Sequence, residues 1–151
     1  MEKCLEVAKL LCIMYKEKFG KDIDEMKTHK LMYFAQRESF ILFNVPLFND
    51  ETFQGWKYGP VLISVRKAFQ HDSFKTVSPC SSPQANVVIN NILDRFGSLS
   101  AWTLSELSHQ EISWKLSRIG KEPADSGQDI ISNDAIKLDA AREKANRKLV
   151  K

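Results

Sequence analysis

The stretch FQGWKYGPVLISVRKAF, residues 53–69, places two glycines, a proline, a tryptophan and a tyrosine directly before an apolar run. We predict that Gly59 frees a turn and that Pro60 takes the first position of a helix ending near residue 70. The fixed φ of proline suits that position, and its missing N–H costs no hydrogen bond there. The residues before the turn alternate as a short strand, in which Gly55 permits close backbone approach. We therefore interpret the stretch as the joint between a strand and a helix.

Helical periodicity dominates the rest of the chain, with apolar residues at three- and four-residue steps. Besides the helix after Pro60, the predicted helices span residues 3–19, 25–43, 85–96, 101–108 and 113–118, and a last helix follows the capping Ser132. Apolar residues occur on more than one face of the second helix, which indicates that several neighbours pack around it. Ser100 is a further predicted helix cap.

These segments predict a mainly α fold: a single compact helical domain of about six to seven helices with at most a small β ribbon. The ribbon would pair residues 52–57 with residues 74–77. We expect one domain over residues 1–151, because a chain of this length is too short for two. The loops at 71–84 and 120–129 are interpreted as surface features within that domain and not as domain linkers.

Composition limits the classes of protein that the chain can belong to. It has 151 residues, of which 43% are hydrophobic and 27% charged, as in a globular protein with one core. No apolar run approaches the ~20 residues of a membrane span, so we expect no membrane association. Three cysteines without paired spacing favour a reducing cytoplasm. The net charge of +3 lies in residues 134–151.

Side chains that could bind a metal or a cofactor are scattered. The cysteines and histidines show no metal-binding spacing, so we predict no metal site. We expect the thiols of Cys4, Cys12 and Cys80 to be buried. We expect the histidines His29, His71 and His109 to lie at the surface. No glycine cluster can cradle a phosphate, and we predict no cofactor.

Two patterns that could carry a reaction or read DNA are incomplete. Ser105 and His109 lie one helical turn apart, but the chain lacks a nucleophile elbow and a glycine-rich oxyanion hole. We predict no catalytic residues. Residues 92–109 have the outline of a helix-turn-helix, yet the second helix has no Arg, Lys, Asn or Gln to read bases. Specific DNA binding is therefore not expected.

Aromatic side chains beside turns favour a protein-binding surface over a reaction centre. The candidate partner-binding residues are Tyr33, Trp56, Tyr58, His109 and Trp114. Core packing is the alternative for these side chains. In the last helix Ala135, Leu138, Ala145 and Leu149 follow a heptad-like spacing, which leaves a homodimer open.

Three stretches resemble motifs of one known family. MKTHKLMYFAQ (residues 26–36), FQGWKYGPVLISV (residues 53–65) and GSLSAWTLSELSHQEISWKLSR (residues 97–118) are similar in order and spacing to segments of the SocA-like antitoxins, or Panacea domain family. Some members of this family are GepA-type phage-associated proteins. The resemblance covers residues 1–119, and residues 120–151 match only loosely.

The chain departs from the family pattern at Thr28, His29, Gly55 and Arg66. The resemblance implies a largely helical, non-catalytic, cytoplasmic antitoxin that binds a partner toxin directly. It leaves open whether the chain also delivers the toxin to a ClpXP-type protease. The alternative from the residues themselves is a nucleic-acid-associated regulator that uses the basic last helix.

Overall fold

Helix α2, Glu25–Phe43, lies at the centre of the computed structural model, which describes residues 2–149. Asp24 caps it by accepting a hydrogen bond from the backbone N–H of Lys27 at 2.7 Å. Of its 19 residues 15 are buried, because other helices and a hairpin pack on every face. The prediction of a central second helix is confirmed.

Six further α-helices surround α2 within the described residues: α1 Cys4–Phe19, α3 Ile63–Gln70, α4 Pro83–Phe96, α5 Ala101–Ser108, α6 Ile112–Ser117 and α7 Asn133–Leu149. Ser100 and Ser132 cap α5 and α7 through their side-chain oxygens, as predicted. The mainly α fold class is confirmed. None of the described helices is long and apolar enough to span a membrane.

A three-stranded antiparallel sheet has the order β2-β1-β3, where β1 is Phe53–Trp56, β2 is Gly59–Val61 and β3 is Ile130–Ile131. Trp56 lies opposite Gly59, and Phe53 lies opposite Ile131. The predicted first strand is confirmed. The predicted pairing with residues 74–77 is wrong, because Phe74–Thr76 form a short 3-10 helix in which Phe74 packs edge-on against Phe69.

The predicted start of α3 at Pro60 is also wrong. Pro60 belongs to β2, and the helix begins at Ile63. Two side chains of α2 hold this backbone extended: the Lys30 ammonium donates to the Pro60 carbonyl at 3.1 Å, and the Leu62 N–H donates to His29 Nδ1 at 3.1 Å. These long-range bonds override the local preference of proline for a helix start.

Helix α7 packs against α2 and α6. Its buried side consists of Ala135, Ile136, Asp139 and Ala140. Of the heptad-like residues, Leu138, Ala145 and Leu149 are exposed. The stripe that suggested a homodimer is therefore largely outside the core, and the homodimer stays a prediction.

Candidate functional site

A cleft of about 530 Å³ lies beside the β1–β2 hairpin, and we call it the hairpin cleft. The hairpin contributes Trp56, Lys57, Tyr58 and Val61 to its lining. The opposite wall is the first two turns of α2, and Arg66 of α3 and the loop at residues 120–129 close the sides. The stretch that carries the strand–helix joint thus also forms one wall of a cavity.

His29 and Glu25 form a hydrogen-bonded pair at the α2 side of the cleft. Because His29 Nδ1 accepts from the Leu62 N–H, the proton lies on Nε2, which donates to Glu25 Oε2 at 3.0 Å. Burial lowers the pKa of His29 to about 4, so the ring is neutral at pH 7. Glu25 also accepts from Arg66 Nη1 at 3.3 Å. The prediction that the histidines lie at the surface is wrong for His29, which is 2% exposed.

Lys30 is one of the residues that line the cleft, and it is 2% exposed. Its ammonium donates to the Pro60 carbonyl, and no carboxylate of the described residues forms an ion pair with it. Burial lowers the pKa of Lys30 to about 8, an effect that the nearby Glu25 carboxylate partly opposes. The side chain is therefore still mostly protonated at pH 7, as a buried cation facing a cleft.

Helices α5 and α6 hold the hairpin from behind. The Ser105 hydroxyl donates to the Tyr58 carbonyl, and Trp114 Nε1–H donates to the Trp56 carbonyl at 2.9 Å. Residues 26–36, 53–65 and 97–118 meet here, since α2 bonds to β2 and the α5–α6 segment bonds to the hairpin turn. The three stretches that are separate in sequence form one bonded unit around the cleft.

Gly55 and Gly59 allow the hairpin to fit against these helices. A Cβ atom at Gly55 would lie 1.8 Å from Ser117 Oγ, so only glycine fits between β1 and α6. Gly59 has φ +117°, and a Cβ atom there would lie 2.6 Å from Ser108 Oγ. The predicted close approach at Gly55 and the predicted turn at Gly59 are both confirmed.

The side chains of Ser105 and His109 have different partners in the structure. The Ser105 hydroxyl bonds to the Tyr58 carbonyl, while the His109 ring stacks on Trp114 with ring centroids 4.2 Å apart. Burial lowers the pKa of His109 below its usual range. These contacts give both side chains a structural role in holding the hairpin.

The predicted partner-binding residues lie at very different depths. Tyr58 is 49% exposed, and its ring lies 6.3 Å from that of Trp102, which is 60% exposed. Trp56 is half-buried, with the Arg66 guanidinium 5.2 Å from its ring centroid. Trp114 and His109 are half-buried behind the hairpin. Of the predicted set, Tyr58 is thus the residue that the structure places at the surface.

Tyr33 is fully buried and offers no surface to a partner. Its hydroxyl lies 2.7 Å from Ser113 Oγ and donates toward the carboxylates of Asp139 at 3.1 Å and Glu111 at 3.3 Å. Burial and these carboxylates raise the pKa of Tyr33 well above its ordinary value, so the hydroxyl keeps its proton. Tyr33 joins α2 to α6 and α7 in the core.

Sequence reasoning missed Trp102 and Lys30. Trp102 follows the Ser100 cap in an apolar helical pattern, which is typical of a core residue. Lys30 falls between Met26 and Phe34 at four-residue steps, so it occupies an otherwise apolar helical stripe. A lysine within an apolar helical stripe predicts a buried cation, and this pattern could have identified Lys30 from the sequence.

The basic last helix directs part of its charge into the molecule. Arg147 makes two hydrogen bonds, of 2.9 and 2.8 Å, to the buried Glu38, and Arg142 donates to the buried Glu111 at 2.9 Å. Arg37 of α2 donates to the same Glu111 at 2.7 Å. Both tail arginines therefore have a structural role, but only Arg147 is largely withdrawn from the surface, since the Arg142 side chain is 42% exposed.

The thiols are buried or half-buried and unpaired. Burial raises the pKa of Cys12 to about 11 and that of Cys4 further, so both stay protonated at pH 7. Over residues 2–149, no group of three or more His, Cys, Asp or Glu side chains could hold a metal ion.

Residues 29–115, more than half of the chain, match the family model described as Antitoxin SocA-like, Panacea domain. The matched range contains Lys30, the hairpin and the exposed Tyr58 and Trp102, and it ends before α7. This match confirms the resemblance that the three motifs indicated. No curated protein and no solved structure matches the chain.

Proposed function

The chain belongs to the SocA-like antitoxin family of Panacea domains, and we propose that it is an antitoxin that neutralises a partner toxin by direct protein–protein binding. The observation that carries the proposal is the exposed pair Tyr58 and Trp102, which lies inside the family-matched range and beside the hairpin cleft. Tyrosine and tryptophan are the residue types that most often dominate the energy of protein interfaces.

The support behind this pair makes it suited to binding. The Tyr58 backbone is fixed by Ser105, and Trp102 lies in the first turn of a capped helix. A rigid surface loses little conformational entropy when a partner docks, so more of the contact energy appears as affinity. The proposed toxin-binding surface is therefore this pair together with the rim of the cleft.

Several further features belong to the same proposal. The antitoxin would act without catalysing a reaction and in the cytoplasm, and α1 and α7 would form one unit with the family-matched core, since α7 packs on α2. Delivery of the toxin to a ClpXP-type protease is a separate proposal. It predicts a shorter toxin half-life when antitoxin and protease are both present, and an unchanged half-life would leave simple masking.

Co-expression tests the antitoxin proposal. The reading frame next to this one is expressed alone and with this chain, and growth is measured. We expect growth arrest that this chain relieves. Trp102→Ala should weaken binding by about 2 kcal/mol or more, a roughly 30-fold loss. Leu138→Ala removes an equally exposed apolar side chain from α7 and serves as the matched control.

A neighbouring protein that is harmless alone, or that stays toxic beside this chain, would contradict the proposal. If Trp102→Ala and Leu138→Ala lost neutralisation equally, the loss would reflect a general decrease in stability and would not identify Trp102 as part of a binding surface. The nucleic-acid alternative predicts a mobility shift of duplex DNA that weakens steeply with salt, because phosphate contacts release counterions.

A further inference from the structure

Lys30 differs from the other buried cations of α2 in what it faces. Arg37 is paired with the Glu111 carboxylate, and the Lys27 ammonium donates to the Tyr15 hydroxyl and lies over its ring. Of these three cations, Lys30 alone lines the hairpin cleft, with one carbonyl as its acceptor. An ammonium has three donors, and the Pro60 carbonyl occupies one of them, while Glu25 lies near enough to affect the pKa of Lys30 but forms no ion pair with it. Lys30 is thus a lining residue of the cleft whose ammonium has donors left for a further acceptor.

The remainder of the lining is cationic and apolar. Lys57 and Arg66 add two positive charges, and Glu25, which already accepts from His29 and Arg66, adds one negative charge. Trp56, Tyr58, Met26 and Val61 form the apolar part of the walls. This combination is complementary to a carboxylate attached to an apolar neighbour.

We propose that the hairpin cleft receives an acidic side chain of the partner toxin, an Asp or Glu flanked by an apolar residue, with the Lys30 ammonium as its charge partner. The inference rests on the proposed antitoxin function and specifies where and by what chemistry the toxin is held.

The geometry favours a side chain of a docked protein. Tyr58 belongs both to the cleft and to the exposed aromatic pair with Trp102, so a protein seated on that pair extends over the mouth of the cleft. The volume of about 530 Å³ exceeds that of one acidic side chain, so a flanking apolar residue enters with it. A carboxylate beside Lys30 would make a charge-assisted hydrogen bond away from water, the strong kind of such bonds.

Two variants separate the charge from the space. Lys30→Met removes the ammonium and keeps most of the side-chain volume, whereas Ala124→Trp fills the cleft from the exposed loop at residues 120–129 without altering Lys30. Lys144→Met is the matched control, since it removes one exposed positive charge on α7. The probe is the purified product of the adjacent reading frame, and its Kd for the full chain is measured by calorimetry together with the melting temperature of each variant.

We expect Lys30→Met and Ala124→Trp each to raise Kd by about tenfold or more, as for loss of one buried charged contact. The control should stay within about twofold of the unchanged chain. If Lys30→Met does not fold, Ala124→Trp still decides whether the cleft is occupied.

Two results would overturn the inference, and a second arm identifies a small-molecule occupant in the first of these cases. Unchanged affinity of Ala124→Trp would show that the cleft stays empty in the complex. If Ala124→Trp bound the probe weakly while a folded Lys30→Met bound it with full affinity, the cleft would be occupied by a side chain that needs no charge partner. In a second arm phenylacetate is titrated into the chain alone, and tight binding there with unchanged toxin affinity of Ala124→Trp would assign the cleft to a free small acid. If the unaltered chain neither binds nor neutralises the probe, the antitoxin proposal itself fails. This outcome is distinct from a failure of the cleft inference, because in that case the unaltered chain still binds the probe.

Discussion

Protonation of His29 should destabilise the protein as the pH falls. The folded chain holds His29 neutral, because its Nδ1 accepts from the Leu62 N–H and burial lowers its pKa to about 4. In the unfolded chain the pKa is that of a free histidine, about 6.5. Below pH 6.5 the His29 side chain is therefore protonated in the unfolded state but stays neutral in the folded state. The free energy of unfolding must decrease as pH falls from about 6.5 to about 4.

The magnitude follows from the two pKa values. Between pH 7 and pH 5 the loss from His29 is about 2 kcal/mol. This is less than the limiting slope of about 1.4 kcal/mol per pH unit would give over the whole interval, because the unfolded chain takes up little of the proton above pH 6.5. The assay is urea unfolding at both pH values for the unaltered chain and for His29→Asn. The Asn Oδ1 can still accept from the Leu62 N–H and cannot take up a proton in this range. We expect His29→Asn to lose about 2 kcal/mol less than the unaltered chain over this interval.

His109 also contributes to acid destabilisation, because burial lowers its pKa too, but it is present in both proteins and cancels in the difference. His71→Asn is the control, because His71 is exposed at the end of α3. Equal losses in the unaltered chain and His29→Asn would refute the reasoning. Such a result would mean that His29 takes up its proton as readily in the folded chain as in the unfolded one.

Two further substitutions test the packing around the site. Gly55→Ala should destabilise the protein by about 1–3 kcal/mol, since the new Cβ would meet Ser117 Oγ at 1.8 Å, and Ser117→Gly in the same chain should recover part of this loss in thermal unfolding. Arg147→Met should cost about 3 kcal/mol in urea unfolding, because it leaves the buried Glu38 carboxylate without its guanidinium, and adding Glu38→Gln should reduce that cost. If a double variant were no more stable than its single variant, the contact assigned to that pair would be contradicted.

Local signals were sufficient for most helices. Helix α2 was predicted with its observed bounds, and α5 and α7 were located by Ser100 and Ser132, whose caps depend on residues a few positions away. The errors occur where the deciding partner is distant. Pro60 was predicted to start a helix, but Lys30 and His29 hold its neighbourhood extended from 30 or more residues away. Local secondary-structure propensity does not predict such long-range contacts.

The candidate site shows the same division. Trp56 and Tyr58 were predicted as partner contacts from their position beside a turn, and the structure places both in the cleft wall. Tyr33 has the same chemistry, yet it lies in the core because α6 and α7 cover it. Exposure of an aromatic side chain depends on which elements pack over it, and a sequence pattern does not contain that information. The cleft itself arises from segments distant in sequence, so no single stretch predicts it.

Some of the positions predicted to depart from the family pattern lie in the cleft. Trp114 and Ser105, in a motif that the chain shares with the family, bond to the hairpin backbone and set its position. Two of the four predicted departures, His29 and Arg66, line the cleft and share the Glu25 carboxylate there. A common scaffold with different cleft charges would let related antitoxins select different toxins, because specificity requires mismatched charges to be rejected as well as matched ones to be bound. If the proposed antitoxin function holds, substitutions of the charges around Lys30 are the first test of which partner the cleft selects.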